Sequence, residues 1–271
     1  MRYPAVAGQF YSSTEEALIE EIYSCYMSPI GPGKPPRLKE GKRRIRGLVV
    51  PHAGYVFSGP VAAHAYYALA EDGFPKTFVI IGPNHSGMGS PVALTTQDFS
   101  TPLGEVKVNR ELAGDLVKGG VADDIIAHRY EHSVEVQLPF LQHISKNFDF
   151  LPISMMDQEY RSAKNLGELL SDVISGRDAV VIASTDFSHY VPQNLAKTKD
   201  NEVIQKILGL DPQGMNKART RHNVSMCGYG PVMVMLMATK GKEAELLKYA
   251  TSGDVRPMQE VVGYGAVVIR A

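Results

Sequence analysis

Apolar positions along this chain gather into short unbroken runs, set between longer stretches where they recur at helical spacing. Arg46–Val50, Thr77–Gly82 and Ala179–Ala183 are continuous and rich in β-branched residues. Such runs suit strands buried on both faces of a parallel sheet. Each is followed by a histidine: Pro51-His52, Gly82-Pro-Asn-His85 and Ser184-Thr-Asp-Phe-Ser-His189. Ligands of open parallel sheets bind beyond the carboxyl ends of the strands. The pattern therefore predicts one place where His52, His85 and His189 converge.

Between these runs the spacing predicts helices. Ser13-Thr-Glu-Glu16 carries the caps and first-turn acids of a helix start, with Leu18, Ile19, Ile22, Tyr23 and Tyr26 forming its apolar face. Residues 61–69, 110–118, 163–174, 197–208 and 232–239 read as further helices. Ser133–Ile144 has helical spacing with Pro139 as a candidate kink. Residues 148–153 and 265–269 read as strands, and 92–96 with 105–108 as a strand pair around the turn at 101–104. The Pro- and Gly-rich stretch 28–42 reads as a surface connection, and Arg2–Tyr11 as an ordered arm. Strands alternating with helices predict an α/β fold with a largely parallel central sheet, helices on both faces, and a single domain over 1–271.

Composition narrows the functions open to such a fold. A formal net charge of −1 removes the electrostatic footprint of a nucleic-acid binder. The basic cluster 39–46 reads as a solvated loop. The two cysteines, Cys25 and Cys227, form no disulfide framework and point to a reducing compartment. No apolar run reaches membrane-spanning length and no leader segment is evident, so the expectation is a soluble cytoplasmic protein with no membrane and no nucleic-acid partner. His64 on an apolar helix face and the methionines of 232–239 read as packing residues.

Cys227 lies in Cys-Gly-Tyr-Gly-Pro, just before a helix. A helix amino terminus favours a thiolate, which is both a soft metal ligand and a nucleophile. Three readings follow: a metal site of two histidines and the thiolate, a cysteine nucleophile with a histidine base, or a packed thiol. Asp186 follows a strand closely enough to orient a histidine, or else caps a turn. His128-Arg-Tyr-Glu-His132 matches the inverted zinc-protease motif H-x-x-E-H, which works only on a helix. The helix signal here begins after His132, so His132 and Glu135 fall at its start, facing the site.

Taken together, Pro51-His-Ala-Gly-Tyr55, Gly82-Pro-Asn-His85, Glu131-His-Ser-Val-Glu135, Ser184-Thr-Asp-Phe-Ser-His189 and Cys227-Gly228 resemble the Memo family over nearly the whole chain. That family is similar in fold to class III extradiol ring-cleaving dioxygenases. The resemblance implies metal ligation by His52, His85 and Cys227, with His132, Asp186 and His189 lining the same pocket as catalytic groups. It implies iron or copper, with zinc as a further candidate, and a redox enzyme acting on a small-molecule or peptide substrate. Sulfur in place of the dioxygenases' carboxylate favours copper(I) or changes the iron potential. The family is also linked to phosphotyrosine-peptide binding, and its microbial members to a radical-SAM protein partner. A peptide-binding module without catalysis and a hydrolase are the rival functions. The cleft motifs hold no arginine pair, the usual phosphate fork.

Overall fold

The computed structural model describes all residues 1–271. In chain order the elements are α1 (Glu15–Met27), β1 (Ile45–Val50), α2 (Tyr55–Asp72), β2 (Thr77–Pro83), β3 (Val92–Leu94), β4 (Phe99–Thr101), β5 (Gly104–Val108), α3 (Arg110–Lys118) and β6 (Ala122–Asp123). They continue with α4 (Leu138–Ile144), β7 (Asp149–Met155), α5 (Tyr160–Ile174), β8 (Ala179–Ser184), β9 (His189–Val191), α6 (Gln193–Leu208), α7 (Pro212–Arg221), α8 (Tyr229–Thr239), β10 (Glu243–Thr251), α9 (Ser252–Val255) and β11 (Val261–Arg270).

One mixed sheet of eleven strands organises the chain, with a main order β10-β11-β1-β8-β2-β7-β3-β6. Its centre, β1-β8-β2-β7, is parallel. β11 joins β1 antiparallel, and β10 joins β11 antiparallel at the edge. The central strands alternate their side chains into two cores. Leu48, Val50, Phe78, Ile80, Phe150 and Ile182 face α1, α2 and α4. Val49, Val79, Ile81, Leu151, Val181 and Ala183 face α3, α5, α6 and α8. Burial on both faces is why these strands read as unbroken apolar runs.

Several local expectations change. α2 begins at Tyr55 and carries Pro60 within it, so Gly59-Pro60 does not end the loop. Pro139 opens α4 rather than kinking it, and Glu135–Gln137 forms a 3₁₀ turn before it. That is the position where a missing N–H costs nothing. β5 pairs with β4, not β3, which pairs antiparallel with β7. α1 buries Leu18, Ile22, Cys25 and Tyr26, but Ile19 and Tyr23 face solvent. No helix is long and apolar enough to cross a membrane.

The amino-terminal arm is tied down by a buried ion pair. Arg2, 3% exposed, meets the fully buried Glu135 through its Nη1. It also donates to the carbonyls of His128 and Glu131. Glu135 accepts further bonds from the Ala5 and Val6 amides and the Tyr11 hydroxyl. Removing one partner of such a pair leaves the other charged and dry, so Arg2→Leu is expected to cost about 3 kcal/mol. Urea unfolding should show a lower midpoint at unchanged slope. A midpoint equal to wild type would mean that the arm contributes no stability.

Candidate metal centre at the strand carboxyl ends

The parallel register sets the site. Val50 pairs with Ser184, and Ile81 with Ala183, so β1, β2 and β8 end side by side. His52, His85 and Asp186 each lie two residues beyond the last residue of their strand. The segment carrying His132 crosses the end of β2. Only glycine at position 82 permits that approach, since a Cβ there would stand 2.2 Å from Ser133 Oγ. Gly228 does the same for the Cys227 turn, where a Cβ would stand 2.4 Å from the Ser184 carbonyl oxygen.

His52, His85 and His132 come together, each offering one ring nitrogen, and these nitrogens all lie within 4.8 Å of one another. The His85 and His132 rings stack at 4.7 Å, and His52 meets both edge-on. Phe10 from the arm packs on His132 with ring centroids 4.7 Å apart. His52 is buried, His132 half-buried, and His85 open to solvent. The cluster is thus closed at its base and accessible at its mouth.

The orientation of His52 follows from a hydrogen-bond count. The Ser184 hydroxyl donates to the Ser133 carbonyl and accepts from Gln137 Nε2. Gln137 also donates to the Pro51 carbonyl and accepts from the Tyr66 hydroxyl. Ser184 has one donor and two acceptor sites, so its 2.9 Å contact with His52 Nδ1 must receive the imidazole proton. His52 Nε2 is left as the lone pair facing the cleft. Burial, then the charges of His132 and His85, hold the His52 pKa well below the ordinary value, so the ring is neutral. Burial likewise takes His132 down to about 4. Neutral imidazoles with exposed lone pairs are the form that binds metal.

Cys227 stands beside this group. Its Sγ lies 3.2 Å from His52 Nε2 and accepts from the Asp186 amide at 3.2 Å. The structure gathers His132 with His52 and His85, and sets the Cys227 sulfur, the expected third ligand, directly against His52. Burial, followed by the Asp186 carboxylate, pushes the thiol up, against the hydrogen bonds from the Asp186 amide and Thr185. Asp186 is itself buried; desolvation drives it up to about 6 against the His52 amide and the charges of His189 and His85. Its Oδ1 accepts from the His52 amide, so it orients the backbone of a cluster histidine. His189 borders the cleft, with Nδ1 held 2.9 Å from the Ser225 carbonyl.

The H-x-x-E-H match does not form a zinc-protease site. His128 is buried away from the cluster, with Nε2 at the Ala93 carbonyl, and no helix spans 128–132. Glu131 is the site residue that sequence reasoning passed over. Its carboxylate accepts from the amides of His85, His132 and Ser133 and contacts His85 Nδ1 at 2.9 Å. Burial alone would raise it, but the His85 bond and the neighbouring histidine charges take it to about 2. Its sequence signals are its place inside the discarded H-x-x-E-H match and at the head of the family motif Glu131-His-Ser-Val-Glu135. His64 bonds the Ile30 carbonyl, and Cys25 is packed in the core, both as expected of structural residues.

Fold and cleft together define a mixed α/β protein with a three-histidine cluster able to hold a metal at the carboxyl edge of its sheet. The chain belongs to the Memo family, whose profile, described as Memo-like protein, matches residues 2–268. It is 50% identical over 279 residues to a MEMO1 family protein of Methanopyrus kandleri, covering 99% of each chain. A MEMO1 family protein of Methanothermobacter thermautotrophicus is 46% identical, with 97% of this chain and 98% of the relative covered. One of Sulfurisphaera tokodaii is 44% identical, with 98% of each covered. Among solved structures, an uncharacterized protein of Escherichia coli K12 superposes with a TM-score of 0.56 at 15% identity, covering 83% of this chain and all of that one. That likeness is one of fold.

The burial of Cys227 beside the Asp186 carboxylate predicts slow thiol chemistry. In metal-free protein at neutral pH, thiolate absorbance and alkylation by iodoacetamide should both be far below those of an unperturbed cysteine, becoming appreciable only as pH rises above the ordinary thiol range. Rapid labelling of Cys227 at neutral pH would revive the nucleophile reading.

Proposed function

We propose that this protein is a metal-dependent redox enzyme whose metal is held by His52, His85 and His132, with the Cys227 sulfur as an adjacent fourth donor. The observation that carries the reading is the convergence of three imidazole nitrogens within 4.8 Å. The donor chemistry fits. Neutral imidazoles suit iron, copper and zinc, and a neighbouring sulfur adds a soft donor that favours copper(I). A metal bound there supplies electron transfer or Lewis-acid polarisation of a substrate. Iron or copper is favoured over zinc because the family resemblance points to redox chemistry. The substrate is a small molecule or a peptide-borne group reaching the mouth beside His85.

The chain's own residues support such a role. His52 and His132 are kept neutral by burial. Asp186 fixes the His52 backbone, and His189, anchored by Ser225, presents a free Nε2 at the rim as a candidate proton carrier. A cysteine hydrolase is disfavoured by the raised thiol.

Metal analysis by mass spectrometry of protein purified without oxygen tests the reading. Near-stoichiometric iron or copper is expected in wild type. His52→Ala, His85→Ala and His132→Ala should each lower affinity at least about 100-fold, as loss of a ligand exceeds the 10–100-fold of an outer-shell change. Cys227→Ser should weaken copper(I) more than iron(II). Metal-free wild type that resists reloading would remove the proposal, and His132→Ala with full occupancy would restore the ligand set of His52, His85 and Cys227.

A further inference from the structure

Every histidine of the cleft has its Nδ1 directed at a fixed group of the protein. His52 Nδ1 faces Ser184 Oγ at 2.9 Å, and His189 Nδ1 faces the Ser225 carbonyl at 2.9 Å. His85 Nδ1 faces Glu131 Oε1 at 2.9 Å, and His132 Nδ1 lies 3.5 Å from the same oxygen. Nδ1 is thereby engaged in His52, His85 and His189, and one carboxylate holds the ring of His85 and the backbone of His132.

Glu131 is engaged from several sides at once. Oε2 accepts from the His85 amide, and Oε1 accepts from the His132 and Ser133 amides as well as facing His85 Nδ1. A carboxylate offers about four acceptor sites. Three of the four contacts fall on Oε1 and one on Oε2, so the carboxylate is committed chiefly to holding the His85 and His132 segments. A turn cap alone would need only the His132 and Ser133 amides. The two bonds to His85, which is 46 residues away in sequence, exceed that role. The backbone of Glu131 is itself held from below, because Arg2 Nη2 donates to its carbonyl.

We infer that Glu131 is the positioning residue of the cluster: by binding both the amide and the Nδ1–H of His85, and the amide of His132, it fixes the tautomer of His85 and sets both rings with Nε2 toward the cleft. The metal site is then preorganised by the polypeptide. This rests on the proposed metal reading for its purpose, but its geometry holds without metal. Holding a ligating imidazole by its second nitrogen both orients the ring and raises its basicity as a ligand.

The test uses the full chain, labelled with ¹⁵N, in metal-free form at a pH where the rings are neutral. Long-range ¹H–¹⁵N spectra should show wild-type His85 protonated on Nδ1 with an unprotonated Nε2. In Glu131→Gln the amide keeps the shape but offers one acceptor oxygen and an NH₂, so it cannot serve the His85 amide and ring together. His85 should become a mixture of tautomers, while His189, anchored by Ser225, keeps its spectrum. Titration with iron(II) or copper(I) should show a 10- to 100-fold loss of affinity. Glu131→Asp, which keeps the charge but is too short to span both His85 donors, should not restore wild-type affinity. A wild-type His85 protonated on Nε2, or a Glu131→Gln protein with an unchanged His85 tautomer, would overturn the inference. If Glu131→Gln does not fold, the wild-type tautomer alone decides. Wild-type protein with the expected tautomers but no metal affinity would refute the proposed function and leave this positioning role standing.

Discussion

A buried imidazole at the end of a central strand needs partners for both nitrogens, and this molecule is arranged to supply them. His52 is 2% exposed and sits where β1 ends. Its Nδ1 proton is taken by Ser184 at the end of the neighbouring β8, in register with Val50. Ser184 in turn is saturated by Gln137 and the Ser133 carbonyl, both from the segment that also carries His132. Three separate stretches of chain are thus locked around one ring. An unpaired group here would cost about 1–3 kcal/mol. The arrangement is therefore all-or-none: satisfying His52 also fixes where His132 and the end of β8 stand.

The arm supplies the outer support. Arg2 and Glu135 are both buried, and the net worth of such a pair is small against a well-packed apolar alternative. Its consequence is positional. Arg2 reaches the carbonyls of His128 and Glu131, while Glu135 gathers the amides of Ala5 and Val6. The arm then lays Phe10 on His132. Residues far apart in sequence thus form the wall of the cluster without any regular element between them.

What the sequence revealed, and what it hid, follows from where the information lies. β1, β2 and β8 were legible because burial on both faces writes an unbroken apolar run, and the histidines two positions past β1 and β2 followed from that. In the third case the equivalent position is Asp186, not His189, since β8 ends at Ser184 and the chain continues into β9. β10 was not legible. As an edge strand it mixes Glu243, Glu245 and Lys248 with half-buried apolar residues, and a bulge between Leu246 and Lys248 breaks its alternation. α7 was hidden because it buries only Met215 and Ala218. Glu131 was hidden for another reason: its partners are mostly backbone amides, and backbone amides carry no signature in sequence.

Cys227 shows where local rules and tertiary context conflict. A position just before a helix argues for a thiolate, while burial and the Asp186 carboxylate argue more strongly for a thiol. The two fit one account if the thiol is a latent donor. Metal coordination deprotonates a thiol outright, because the cation is the largest local charge in its site. Under the proposed function, three neutral imidazoles define the place where a cation settles, and Cys227, already 3.2 Å from His52 Nε2, is within reach to surrender its proton to a soft one. Asp186, whose burial disfavours its own charge, bonds the backbone of His52 and of Cys227 alike and so keeps them in register. On that proposal the cysteine would discriminate between metals, and the histidines would decide that a metal binds at all.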